Sequence, residues 1–302
     1  MAADALLTSE TLASEAMTGE QRNQLTRLAE EAMAEALKVV NPSHLGAQRI
    51  HLHGDEVVHA IVDKVRELAS GDKFQDEEVV SHCGYVSGYR APKAIAEQIR
   101  ILREIFPGLR CADESLAQRP VPAGAEGWFV LPRWEAVAPS YDAAVEKVLV
   151  ELSVRRGGRL FNYREGKLDD RHLRQAAGTR EALETLGVAQ QGKDMLVVAG
   201  QLGILHRGRS VRRALETMSI NEFGLGAFAA GIMLLTHPER LQHYDDLWID
   251  CAGDEYSPEG DGRFECAPYF GFYGGWLKFD TGWSDDASDC YGSASGFSPH
   301  QE

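Results

Sequence analysis

The densest chemistry in this chain lies in Leu205-His206-Arg207-Gly208-Arg209-Ser210-Val211-Arg212-Arg213. If a helix begins at Ser210, then Val211, Ala214, Leu215 and Met218 share one face, and Arg209, Arg212, Arg213 and Glu216 share another. Such a helix rests on a core and shows a guanidinium edge. Guanidinium forks grip phosphate oxygens bidentately, and the free N–H groups of a helix start favour anions. The expected ligand of this segment is a phosphate group or a phosphodiester backbone. The opposing expectation is internal pairing, with Glu216 bound to Arg212 or Arg213 and the acidic C-terminal region neutralising the rest.

The same place fits the phosphate-loop pattern G-x-x-x-x-G-K-[ST] from Gly203 to Ser210, except that Arg209 stands where lysine belongs. Leu247-Trp248-Ile249-Asp250 would then imitate the acid-ended strand that holds magnesium. Read so, the protein is a phosphohydrolase or another nucleotide-dependent enzyme. Ile204, Leu205 and His206 argue against it, because they put bulk where bare backbone has to wrap phosphate. No G-x-S-x-G, H-E-x-x-H or G-x-G-x-x-G occurs. His82 and Cys83 are chain neighbours, which on a strand point to opposite faces. The balance leans away from catalysis.

A second basic cluster interleaves Arg155, Arg156, Arg159 and Arg164 with Phe161 and Tyr163. Arginine beside exposed rings suits single-stranded nucleic acid, since charge tracks the backbone while rings stack on bases. The plainer expectation puts both rings on one face of a buried strand with the arginines solvated. Metal ligation has two weak candidates, the His51-Leu52-His53 pair with His59 behind it, and Asp250 with Asp254. The first suits a loop with Asp55 capping a helix. The second does not follow the D-x-D-x-D-G spacing of a calcium loop. No metal and no cofactor is expected.

Charge is segregated along the chain. The whole carries −15, yet residues 155–213 hold thirteen Lys/Arg against six Asp/Glu, a local +7. Residues 249–302 hold eleven acids and two bases. This pattern points to a polyanionic partner or to the protein's own acidic end, in the same copy or, head to tail, in a neighbouring one. The five cysteines are widely spaced with no C-x-x-C, as expected for reduced thiols in the cytoplasm. The acidic start lacks a basic n-region, and the apolar run Phe223–Leu235 is broken by three glycines. A soluble, cytoplasmic protein without membrane contact is expected.

The elements that position these residues read as follows. Residues 1–16 are expected to be flexible. A helix from Thr18 to Val40 places Leu25, Leu28, Leu37 and Val40 inward, and Asn41-Pro42 stops it. Helices over 55–69 and 92–105 complete a helical layer within 17–110. A soft boundary near 110–125 opens an α+β region, 111–302, possible also as one continuous domain with what precedes it. There the pattern gives a strand at Trp128–Leu131, helices over 141–154, 169–186, 210–218 and 221–236, and strands at 194–199 and 247–250. Aromatics flanking Gly274-Gly275 mark an antiparallel hairpin, and the tail after Asp285 reads as loose. The fold class is α+β, an N-terminal helical layer followed by a mixed portion that ends in an aromatic-rich antiparallel element. The expected function is a non-catalytic binding or assembly protein for a phosphate-rich partner, foremost nucleic acid.

Overall fold

A computed structural model describes residues 19–298 of the chain. The expected flexible stretch 1–16 lies outside them. The chain divides into two units, Met1–Lys73 and Phe74–Glu302.

In the first unit α1 spans Gly19–Val40, α2 His44–Leu52 and α3 Gly54–Ser70. Asn41 takes φ 43°, a left-handed conformation that ends α1 ahead of Pro42. Ser43 caps α2 by accepting from the Gly46 amide at 3.2 Å. The stripe expected to face inward on α1, Leu25, Leu28, Leu37 and Val40, is exposed, and so are Val58, Ile61, Val62 and Val65 on α3. Period 3.6 specified helices here, and these apolar side chains stay exposed among the described residues.

The second unit is α+β. Its elements are α4 (Ile95–Ile105), β1 (Gly127–Pro132), α5 (Tyr141–Arg155), β2 (Leu160–Asn162), β3 (Leu173–Gln175), α6 (Ala177–Ala189), β4 (Met195–Gln201), α7 (Val211–Thr217), β5 (Glu222–Gly224), α8 (Ala227–Thr236), β6 (Trp248–Asp250), β7 (Asp254–Tyr256), β8 (Cys266–Tyr273), β9 (Trp276–Trp283), β10 (Tyr291–Ser293) and β11 (Ser295–Phe297). Sheet one runs β1-β4-β11-β5 and is antiparallel throughout. Sheet two is built on the β8–β9 hairpin. β6 and then β10 join β8 on one side together with β7 and β3, while β2 runs parallel to β9 on the other.

The core lies where α4 and α8 pack on β1 of sheet one and α5 packs on α8 and on β2 and β3 of sheet two. All ten residues of α8 are buried, as an all-apolar helix requires. Val148 of α5 closes over Gly231 so tightly that no Cβ fits there. Burying Ile232 and Leu234 alone supplies about 1.5–3 kcal/mol each.

Several elements differ from the sequence expectation. The soft boundary near 110–125 falls inside the second unit, because α4 buries Ile95, Ile99, Leu102 and Ile105 in that unit's core. The Gln98 amide also bridges to β1, donating to the Trp128 carbonyl and accepting from the Val130 amide, both at 2.9 Å. The helix expected over 169–186 begins only at Ala177, and 221–236 yields strand β5 before α8 starts. The tail after Asp285 is the largest correction: β10 and β11 enter both sheets, with Ser293, Ala294 and Ser295 fully buried. Glycine and serine serve there because chains cross closely. A Cβ on Gly292 would collide with the Gly203 carbonyl, and one on Gly296 with the Phe223 ring. No described helix is long and apolar enough to cross a membrane.

Candidate functional site

The arginine segment 203–213 is laid down as a short 3-10 turn, Ile204–His206, between Gly203 (φ 112°) and Gly208 (φ 78°), followed by α7. Ser210 caps α7, accepting from the Arg213 amide at 3.1 Å. The loop amides that a phosphate would need are already engaged. Gly203 donates to Gln201 Oε1, Ile204 to Tyr85 Oη, Gly208 to the Tyr291 carbonyl and Ser210 to the Glu77 carbonyl. The segment therefore does not form an open phosphate cradle.

Its guanidinium groups are paired as well. A strap, residues 74–87, supplies the acids. Arg212 holds Glu77, with Nε 2.8 Å from both carboxylate oxygens, and lies 3.6 Å from Asp285. Ser210 Oγ donates to Glu77 at 2.7 Å. The Arg212 hydrogen bonds keep the Glu77 carboxyl below its ordinary range. Arg213, nearly buried, binds Glu78 at 2.5 Å and Glu216 at 3.2 Å; Arg209 meets Glu78 at 3.2 Å. His206 donates from Nε2 to the buried Glu222 at 2.7 Å while its Nδ1 accepts from Arg209 at 3.2 Å. Burial works to raise the Glu222 carboxyl, and the His206 and Ser295 bonds outweigh it, so it sits low. Arg207 is exposed and donates to the Cys83 carbonyl at 3.1 Å. The pairing foreseen with Glu216 and the acidic end is present for Glu216 and Asp285. The strap carboxylates, missed in the sequence, do most of the neutralising.

The second cluster separates into two halves. Arg156 caps the 238–241 turn, donating to the carbonyls of Leu241 (3.0 Å) and Pro238 (3.2 Å), and Arg164 pairs with Asp280 at 2.8 Å. Arg155 and Arg159 are exposed, and among the described residues neither finds a carboxylate partner. Arg156 and Arg164 answer to groups other than the carboxylates that hold Arg209 and Arg212.

Phe161 and Tyr163 were weighed as buried-strand residues, but they are 47% and 53% exposed. They belong to a larger feature, the outward face of sheet two. Pairing of Phe161 with Lys278 and of Tyr269 with Asp280 puts these side chains on one face. Trp276 (41% exposed), Tyr273 (61%), Gly271, Trp248 and Tyr291 follow on the same face by alternation and register. The other face buries Ile249, Phe270, Leu277 and Phe279. Lys278 Nζ stands 4.8 Å from the Phe161 ring centre, 5.6 Å from Tyr163 and 6.0 Å from Trp276. Farther along, Trp248 stacks on Tyr269 at 5.8 Å, and Tyr291 closes on both at 5.0 and 5.1 Å. Gly271 is glycine because the Trp248 ring lies flat over it, 2.5 Å from where a Cβ would stand. The legible signal was the two-residue alternation of β8 and β9, which separates outward Tyr269, Tyr273, Trp276 and Lys278 from the buried aromatics.

The metal candidates are spent or dispersed. His51 lies within α2 and is exposed, and His53 Nδ1 contacts Glu56 at 2.7 Å. Asp254 accepts from Tyr141 Oη and from the Ala227 amide, both at 2.7 Å. Among the described residues no group of three or more His, Cys, Asp or Glu is placed to hold a metal ion. The cleft lined by Trp134, Tyr141, Arg180 and Phe228 measures about 120 Å³, small beside the roughly 300–1,000 Å³ of ordinary ligand pockets.

Asp250 lies on the aromatic face at only 8% exposure, opposite Tyr269 and Ser293, and among the described residues no hydrogen bond to its carboxyl offsets its burial. Burial, then the nearby charge of Asp286, pushes it up to about 7. The unfolded chain gives up this proton near pH 4 while the folded protein keeps it to about pH 7, so stability falls as pH rises through that window. Asp250→Asn is expected to remove this loss and to raise stability at pH 8 on the order of 3 kcal/mol, with little effect at pH 4. Urea unfolding at the two pH values checks it.

Comparison with protein-family models, with curated proteins and with solved structures returns no match.

Proposed function

We propose that the protein is a non-catalytic binding protein for single-stranded nucleic acid, and that its interface is the aromatic face of sheet two rather than the segment 207–213. The observation that carries this reading is the set of exposed rings, Phe161, Tyr163 and Trp276, gathered around Lys278. Bases stack on sheet-borne rings whatever their identity, because every base has a π-face. Lys278, together with Arg159 at the edge of the same sheet, supplies charge for the phosphates between stacked bases. Arg159 enters the sheet by accepting from the Leu277 amide at 3.1 Å, two residues before Phe161. The Arg164–Asp280 pair is internally neutral, so Lys278 and Arg159 supply the free positive charge around Phe161. A whole-molecule charge of −15 keeps the rest of the surface from adhering to polyanions. Duplex is excluded in this reading, since its bases are already stacked.

Fluorescence anisotropy with labelled single- and double-stranded RNA and DNA tests it. Single strands are expected to bind and duplexes not. With two phosphate contacts, log affinity should fall with log salt at a slope of about −1.4. Failure to bind any single strand at low salt removes the proposal, as does equal affinity for duplex.

A further inference from the structure

The cysteine set contains one close pair. Cys83 of the strap and Cys290, just ahead of β10, bring their sulfurs to 2.9 Å, within about 1 Å of a disulfide bond length. Both are half-buried and within reach of a small reagent, while Cys251 and Cys266 are buried. Four hydrogen bonds hold the pair in place. Ser81 Oγ donates to the Asp289 carbonyl at 2.5 Å, and Arg207 to the Cys83 carbonyl at 3.1 Å. The adjacent Leu247 and Trp248 amides donate to the Gly84 and Cys290 carbonyls, both at 2.8 Å. The strap and the start of β10 are thus tied to the same short piece of chain, and the thiols face each other as a consequence.

We propose that Cys83 and Cys290 are a redox site, closed to a disulfide by a low-molecular-weight disulfide of the glutathione class, and that the bridge fastens the strap to β10. The Cys83 thiolate attacks one sulfur of the oxidant. That S–S bond breaks, one glutathione thiolate leaves, and a mixed disulfide remains on Cys83. Cys290 then gives its proton to solvent and attacks the Cys83 sulfur, expelling the second glutathione. Two protein thiols are oxidised and one small disulfide is reduced to two thiols. Burial, then the contact with Cys83, pushes the Cys290 thiol up and slows it as an attacking group. The closed loop spans nearly the whole second unit, so the bridge restricts the unfolded chain strongly. It also locks in place the strap that carries Glu77 and Glu78 to Arg209, Arg212 and Arg213.

The test incubates the full chain with glutathione disulfide or with reduced glutathione, then measures intact mass, a peptide map and thermal unfolding. The expected result is loss of two hydrogens, one cross-linked species joining the Cys83 and Cys290 peptides, and a rise in Tm of several degrees that reductant reverses. The Cys83→Ser/Cys290→Ser variant is expected to give neither the cross-link nor the Tm rise. Persistent free thiols, stable glutathione adducts on the two cysteines, or a cross-link to another cysteine overturns the proposal. A cross-link without a Tm rise overturns the fastening role. The wild-type peptide map decides the first point even if the variant fails to fold.

Discussion

Arg240→Ala is expected to cost the second unit about 3–5 kcal/mol, a large share of a typical stability of about 5–15 kcal/mol. The Arg240 side chain is fully buried in the second unit. It donates to the Leu247 carbonyl at 2.7 Å and the Leu202 carbonyl at 2.6 Å, joining the start of β6 to the end of β4. Its guanidinium lies 3.8 Å from the centre of the Tyr85 ring, and Tyr85 Oη donates to Glu126 at 2.5 Å. Truncation leaves two buried carbonyls unpaired, opens a cavity and strips Tyr85 of its cationic neighbour. Urea unfolding should show a much lower midpoint or no cooperative transition. A shift worth less than about 1 kcal/mol would mean that Arg240 does not join the two sheets as described.

The second large effect falls on binding. Phe161→Ala/Tyr163→Ala is expected to weaken single-strand binding by about 10- to 100-fold, given stacking worth roughly 1–3 kcal/mol per base. The two rings touch, 4.5 Å between centres, so their losses should not simply add. Because both side chains are exposed, Tm should hardly move, which separates loss of binding from loss of fold. Arg212→Ala is the contrasting change. It should leave affinity within about twofold and lower stability modestly, since Arg212 answers to Glu77. Affinity that follows Arg212 and ignores the rings would return the interface to the arginine segment.

The fold was legible where pattern and burial coincide. Strand β4 is buried at every position and apolar up to its closing Gln201, and β8–β9 turns at Gly274-Gly275 with φ 61° and 82°, as the sequence pattern required. The C-terminal strands were not legible, because Gly292-Ser293-Ala294-Ser295-Gly296 carries the residues of a loop. Their small size answers to backbones crossing nearby, a tertiary fact that no local window contains. The pairing of the arginine segment was hidden for a similar reason. Its four arginines lie close together in the chain, but Glu77 and Glu78, more than 130 residues away, reach them through the strap. Phe161 and Tyr163, named together from the sequence, do stand side by side. Lys278 and Trp276 were missed as their neighbours, because the parallel β2–β9 pairing that joins them is long-range.

Photocrosslinking of a uridine-containing single strand to the full chain, followed by peptide mass mapping, tests the central claim most directly. Adducts on Phe161, Tyr163 or Trp276, suppressed by excess unlabelled strand, are the predicted result. Adducts confined to 205–213, or none under conditions where the strand binds, would contradict it.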